Sequence, residues 1–137
     1  MTATNGSGPI TDTLLRVVLT DFPYIELALI FGSVAQGKQR PDSDLDIAVQ
    51  ARHALTAEQK INIISALAAQ TGRPVDLIDL KVAGEPLLGQ ILKHGRRLAG
   101  SNAAFAQLLS KHLFDQADFM PYRNRILAER RARWIGA

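Results

Sequence analysis

Gly32-Ser33-Val34-Ala35-Gln36-Gly37, followed closely by Pro41-Asp42-Ser43-Asp44-Leu45-Asp46, is the stretch from which the rest of the chain can be read. The apolar run Tyr24 to Phe31 leads into the Gly-Ser turn and predicts a central strand covered on both faces. A second strand, Leu45 to Val49, opens beside a pair of carboxylates spaced i, i+2. Side chains alternate across a strand, so Asp44 and Asp46 point to one face. Two like charges on an apolar strand destabilise it unless a cation lies between them. Paired strand carboxylates facing a Gly-Ser turn therefore imply a site for a metal and a nucleotide.

Each residue of that site has a physical reason to be there. Gly32 has no Cβ, so its backbone can approach a phosphate closely. Ser33 adds a hydroxyl, and the residues after it can turn into a short helix whose free N–H groups attract anions. Asp42 follows Pro41 and is expected to brace the turn. Asp44 and Asp46 are expected to hold Mg2+ through oxygen ligands, with nucleotide phosphates completing the shell. Lys38 and Arg40, beside the turn, are either triphosphate partners or exposed loop cations.

A third carboxylate is expected from a third strand, Val75-Asp76-Leu77-Ile78-Asp79-Leu80. Asp76 and Asp79 differ by three positions, so they face opposite sides and only one can serve. Asp76, at the strand's beginning, is favoured on placement together with the family resemblance given below, with Asp79 as the alternative. Asp79 is expected on the other face or at the strand end. An acceptor hydroxyl beside Asp76 could then lose its proton and attack the α-phosphorus in line.

Other readings of the same residues fail. Gly32 to Lys38 fits the first seven positions of a P-loop, but the eighth is Gln39 where the metal needs Ser or Thr. Pro41 also interrupts the helix a P-loop requires. An EF-hand counted from Asp42 would need Gly and Glu where Ile47 and His53 stand. His53, His94 and His112 lack metal spacing and are expected on the surface or in packing.

Around this centre the chain reads as a small mixed sheet with packed helices, an α/β (α+β) fold. Residues 1–9 are small and polar and are expected to be disordered, followed by one domain with its sheet in 10–100 and a C-terminal helical hairpin in 101–137. Thr11 or Asp12 caps a first helix, and Thr56-Ala57-Glu58-Gln59 fits a capping box. The helix after Thr56 is expected to bury Ile61, Ile64, Leu67 and Ala68, and to stop at Gly72 and Pro74. Pro86 begins a further helix closed by Gly95, and Ser101 caps one carrying Phe105, Leu108, Leu109 and Leu113. A last helix starts near Pro121 and carries Ile126, Leu127 and Trp134.

Composition narrows the function classes. With 137 residues, 47% hydrophobic and 21% charged, the chain has the balance of an ordinary globular domain. It has no cysteine, which excludes disulfides and thiolate metal sites. No basic start precedes an apolar run at the N-terminus, and no apolar stretch reaches membrane-spanning length, so a cytoplasmic enzyme without a membrane partner is expected. From Tyr122 onward Arg123, Arg125, Arg130, Arg131 and Arg133 oppose Glu129 alone. No aromatic interleaving accompanies them, so direct nucleic-acid binding is not expected.

Gly32, Ser33, Asp44, Asp46 and the Val-Asp-Leu pattern at Asp76 together resemble the minimal nucleotidyltransferase (MNT) family of the DNA polymerase β-like superfamily. That signature is Gly-Ser, ten intervening residues, Asp-x-Asp, and a later strand aspartate. The likeness runs from about Leu27 to Leu80, and Gln36 stands where members often carry arginine. The resemblance implies Mg2+ at Asp44, Asp46 and Asp76, ATP as donor, and Gly32 and Ser33 against its phosphates. Short stand-alone members resemble antitoxins paired with a HEPN-domain RNase toxin, so transfer of AMP to a tyrosine of such a toxin is implied. A module that only binds its toxin and transfer to a small molecule are the alternatives.

Overall fold

The computed structural model describes residues 11–35 and 43–114. Among them four strands form one sheet: β1 (Ile25–Phe31), β2 (Leu45–Ala51), β3 (Val75–Asp79) and β4 (Arg96–Gly100), in spatial order β3-β2-β1-β4. β1 runs antiparallel to both β2 and β4, while β2 and β3 are parallel. The parallel pair needs a crossover, supplied by helix α3 (Ala57–Thr71). The remaining helices are α1 (Asp12–Leu19), α2 (Gly32–Ala35), α4 (Leu87–His94) and a helix over 102–114.

Strand alternation divides the core in two. Ala28 and Ile30 of β1 face α1 and α3 with Leu45, Ile47 and Val49 of β2, packing on Leu15, Val18, Ile63 and Leu67. Leu27 and Leu29 face the other side, with Ala48, Leu88, Ile91 and Leu108. The near-continuous apolar run of β1 is thus buried on both faces, as expected of a central strand.

Local signals place the helix ends. The Thr11 hydroxyl accepts from Leu14 N at 3.1 Å, so Thr11 is the cap of α1. Thr56 and Gln59 form the reciprocal capping box of α3, which ends at Gly72 in a left-handed conformation (φ 67°). The Ser101 hydroxyl accepts from Ala104 N at 3.0 Å and starts the helix over 102–114.

Three expectations change. β4 lies where no element was expected between Gly95 and Ser101. Arg96 and Arg97 are exposed and only Leu98 is fully covered, so the segment has no run of apolar alternation to announce it. Gly95 makes the turn into it: a Cβ there would lie 2.4 Å from the Ile91 carbonyl oxygen. In α3 the buried positions are Ile63, Leu67 and Thr71, while Ile61 is exposed. Isoleucines at 61, 63 and 64 permit two stripes, and the sheet selected the one through Ile63. On the helix over 102–114, Leu108 is buried and Phe105 half-buried, but Leu113 is exposed. That helix is held by Lys111, whose Nζ donates to the carbonyls of Leu80, Lys81 and Ala83, and by His112, which pairs with Glu85. The expected disordered segment 1–9, Asp42, Lys38, Arg40, the arginines after Tyr122 and the second arm of the helical hairpin lie outside the described residues.

Candidate active site

The site forms where β1 ends and where β2 and β3 begin. Phe31, the last residue of β1, is the register partner of Asp46 on β2, and Asp46 is in turn the partner of Asp76 on β3. Neighbouring residues in a parallel register project to one face, so the two carboxyls are brought together. Leu45 and Ile47, on either side of Asp46, are fully buried in the opposite face. Their burial pins the strand, because a one-residue slip would exchange leucine for aspartate in the core.

Asp46 is half-buried, with Asp76 beside it on the neighbouring strand. Burial raises the Asp46 carboxyl above its ordinary value, and the charges of Asp76 and Asp44 push the same way. Asp44 immediately precedes β2 and is exposed. Among the described residues no three acidic or histidine side chains already close into a ligand shell. Asp46 and Asp76 form a pair with Asp44 beside it. This all-oxygen donor set, bearing mutually repelling negative charge, is of the kind that suits Mg2+ rather than a thiolate- or imidazole-seeking metal.

Gly32 adjoins the same pair. Its φ is +77°, and a Cβ added there would lie 2.0 Å from Asp46 Oδ2. The carboxylate therefore occupies the space that any other residue's side chain would need. Gly32 begins the four-residue helix α2, which also contains the backbone of Ser33.

Asp79 has a different task. It is only 6% exposed, and its carboxylate accepts from Leu55 N at 2.8 Å and from Lys81 N at 2.9 Å. Both oxygens bind backbone on the face away from Asp46, joining the loop after β2 to the turn after β3. The geometry thus brings Asp76 to Asp46 and turns Asp79 away.

Two arginines beside the site had no sequence signal. Arg73 is 5% exposed and its Nη1 donates to the Ser43 carbonyl at 3.3 Å, one residue before Asp44. Arg96 donates from Nη1 to the Ala35 carbonyl at 2.8 Å, at the end of α2. Both partners are backbone oxygens distant in sequence, which no spacing rule encodes.

Residues 15–104 match the family described as polymerase beta, nucleotidyltransferase. The chain belongs to that family. The match includes Gly32, Asp44, Asp46 and Asp76 and the whole sheet. A relative, protein adenylyltransferase MntA of Shewanella oneidensis, is 33% identical over 88 residues. That alignment takes in 64% of this chain and 63% of the relative, so the chain matches just under two thirds of the relative's length. Among solved structures, a chain from a toxin-antitoxin complex with AMP-PNP is similar at TM-score 0.75 and 28% identity, over 88% of this chain and 98% of that one. A chain from the complex of a tri-AMPylated Shewanella oneidensis HEPN toxin with its MNT antitoxin is similar at TM-score 0.68 and 25% identity, over 86% of this chain and 93% of that one. Among the described residues no helix is long and apolar enough to cross a membrane.

Proposed function

We propose that this nucleotidyltransferase-family chain is a protein adenylyltransferase that transfers AMP from ATP to a tyrosine hydroxyl of a HEPN-domain toxin and so acts as its antitoxin. The observation that carries the reading is the juxtaposition of Gly32 at the start of α2, Asp46 on β2 and Asp76 on β3. The similarity to a protein adenylyltransferase and to an MNT antitoxin in complex with an AMPylated toxin supports the choice of donor and acceptor.

Asp44, Asp46 and Asp76 would hold Mg2+, which when bound supplies positive charge against the triphosphate and eases deprotonation of the acceptor hydroxyl. Gly32, lacking a Cβ, lets its backbone lie directly against Asp46, so phosphates drawn to a cation at Asp46 would lie close to that backbone. Asp76, exposed at the rim of the pair, accepts the proton of the incoming tyrosine hydroxyl. The tyrosine oxygen bonds to the α-phosphorus as the bond from that phosphorus to the bridging oxygen breaks. AMP-tyrosine and pyrophosphate result. Burial and the neighbouring acids disfavour the charged form of Asp46, and a cation there would relieve that cost.

The test is the intact mass of a cognate HEPN toxin after incubation with this protein, Mg2+ and ATP, with an Asp44→Ala/Asp46→Ala double variant alongside. Added AMP units in the wild-type reaction and none with the variant are expected. A toxin that is folded, bound and unmodified would transfer the antitoxin role to complex formation alone.

A further inference from the structure

The polar contacts of Arg96 reach beyond the strand that β4 pairs with, to the end of α2 beside the site. Its guanidinium binds Asp12 through two bonds, Nε to Oδ2 at 3.0 Å and Nη2 to Oδ1 at 2.9 Å. The remaining nitrogen, Nη1, donates to the Ala35 carbonyl at 2.8 Å. Asp12 lies in the first turn of α1, Arg96 opens β4, and Ala35 closes α2. Ile30, the register partner of Arg96, lies two residues before Gly32.

A helix of only four residues has almost no internal hydrogen bonds to hold its direction. Its terminal carbonyls need outside donors, and a cation at that end also complements the peptide dipoles. Arg96 supplies both. The two-bond pairing with Asp12 fixes the plane of the guanidinium, so the third bond has a set direction. That direction fixes the end of α2, whose beginning is the Gly32 backbone against Asp46 Oδ2.

We propose that Arg96 is a positioning residue for nucleotide binding, held by Asp12 and acting on the Gly32–Ala35 turn through the Ala35 carbonyl. The assignment rests on the nucleotidyl-transfer reading above. Arg96 touches neither reacting atoms nor the carboxylates, so its loss weakens placement of the donor nucleotide more than the chemical step. The Arg96–Asp12 pair is partly exposed, and exposed ion pairs contribute little to stability, so folding and binding effects separate.

The experiment compares wild type, Arg96→Met, Arg96→Lys and Asp12→Asn in three measurements. These are KM for ATP and kcat in AMP transfer to the HEPN toxin, the Kd of AMP-PNP with Mg2+, and the melting temperature. Arg96→Met is expected to raise KM and Kd about tenfold, the effect of one charge-assisted hydrogen bond, with kcat nearly unchanged. Asp12→Asn moves both constants the same way by a smaller factor, and Arg96→Lys recovers part of the loss. Wild-type KM and Kd in both Arg96→Met and Asp12→Asn would overturn the assignment while leaving the transferase reading intact. A wild-type chain that neither binds AMP-PNP nor transfers AMP would overturn the transferase reading, and Arg96's role with it. Should Arg96→Met fail to fold, Asp12→Asn and Arg96→Lys carry the same comparison.

Discussion

Gly32 concentrates the local chemistry of the site in one backbone position. Its left-handed φ of +77° is open to glycine at little cost, and Asp46 Oδ2 fills the position of a Cβ. Gly32→Ala therefore meets two penalties, a strained backbone and a displaced carboxylate. We expect it to lower stability by about 2 kcal/mol or more and to abolish AMP transfer. Urea denaturation and toxin mass spectrometry read the two effects separately. Asp46, half-buried beside Asp44 and Asp76, has a carboxyl raised above its ordinary value. That cost is accepted because the residues flanking it, Leu45 and Ile47, anchor the strand in the opposite face. Gly32 and Asp46 were both legible as residue types at a spacing. Their direct contact was not, since it depends on β1 and β2 pairing through Phe31 and Asp46.

β3 shows how one short strand separates two similar carboxylates. Asp76 and Asp79 are three positions apart, so alternation sends them to opposite faces. Asp76 meets Asp46, whereas Asp79 ties Leu55 N and Lys81 N on the buried side. Asp79→Ala leaves two buried or half-buried N–H groups without acceptors, and we expect a loss of about 2–3 kcal/mol. Asp76→Ala removes an exposed charge that opposes Asp46, so we expect an unchanged or slightly higher urea midpoint and no AMP transfer. Equal stability losses in the two variants would contradict this division. The opposite-face assignment needed only strand periodicity, and the caps of α1 and α3 only local hydrogen-bonding chemistry. β4 lacked such a signal. Its order is set by pairing with β1 and by Gly95, which lets the chain pass close to the Ile91 carbonyl.

Asp12 and Arg96 join α1, β4 and α2 from positions 84 residues apart, outside the two apolar layers. The hydrogen bond from Arg96 holds the Asp12 carboxyl below its ordinary value of 3.8, against a smaller upward push from burial. The unfolded chain thus binds this proton more readily than the folded one. The stabilisation is complete above pH 3.8 and disappears as pH falls through the lowered folded value. The gap in urea midpoint between wild type and Asp12→Asn should therefore be constant around neutral pH and close at strongly acid pH. A gap independent of pH across that range would rule out the charged pairing as its source. Both apolar layers were foreshadowed by β1, whose residues are apolar at successive positions and thus demand cover on each face. By itself the sequence determined the central strand, the caps of α1 and α3 and the shared face of Asp44 and Asp46, because each depends on periodicity or chemistry within a few residues. The order of elements and the family resemblance pointed to the fold class and to Asp76. Only the tertiary structure decided the buried face of α3, the existence of β4, the meeting of Gly32, Asp46 and Asp76, and the reach of Arg73 and Arg96. Those features arise from pairing and from backbone oxygens supplied by distant segments, which no local pattern of residues records.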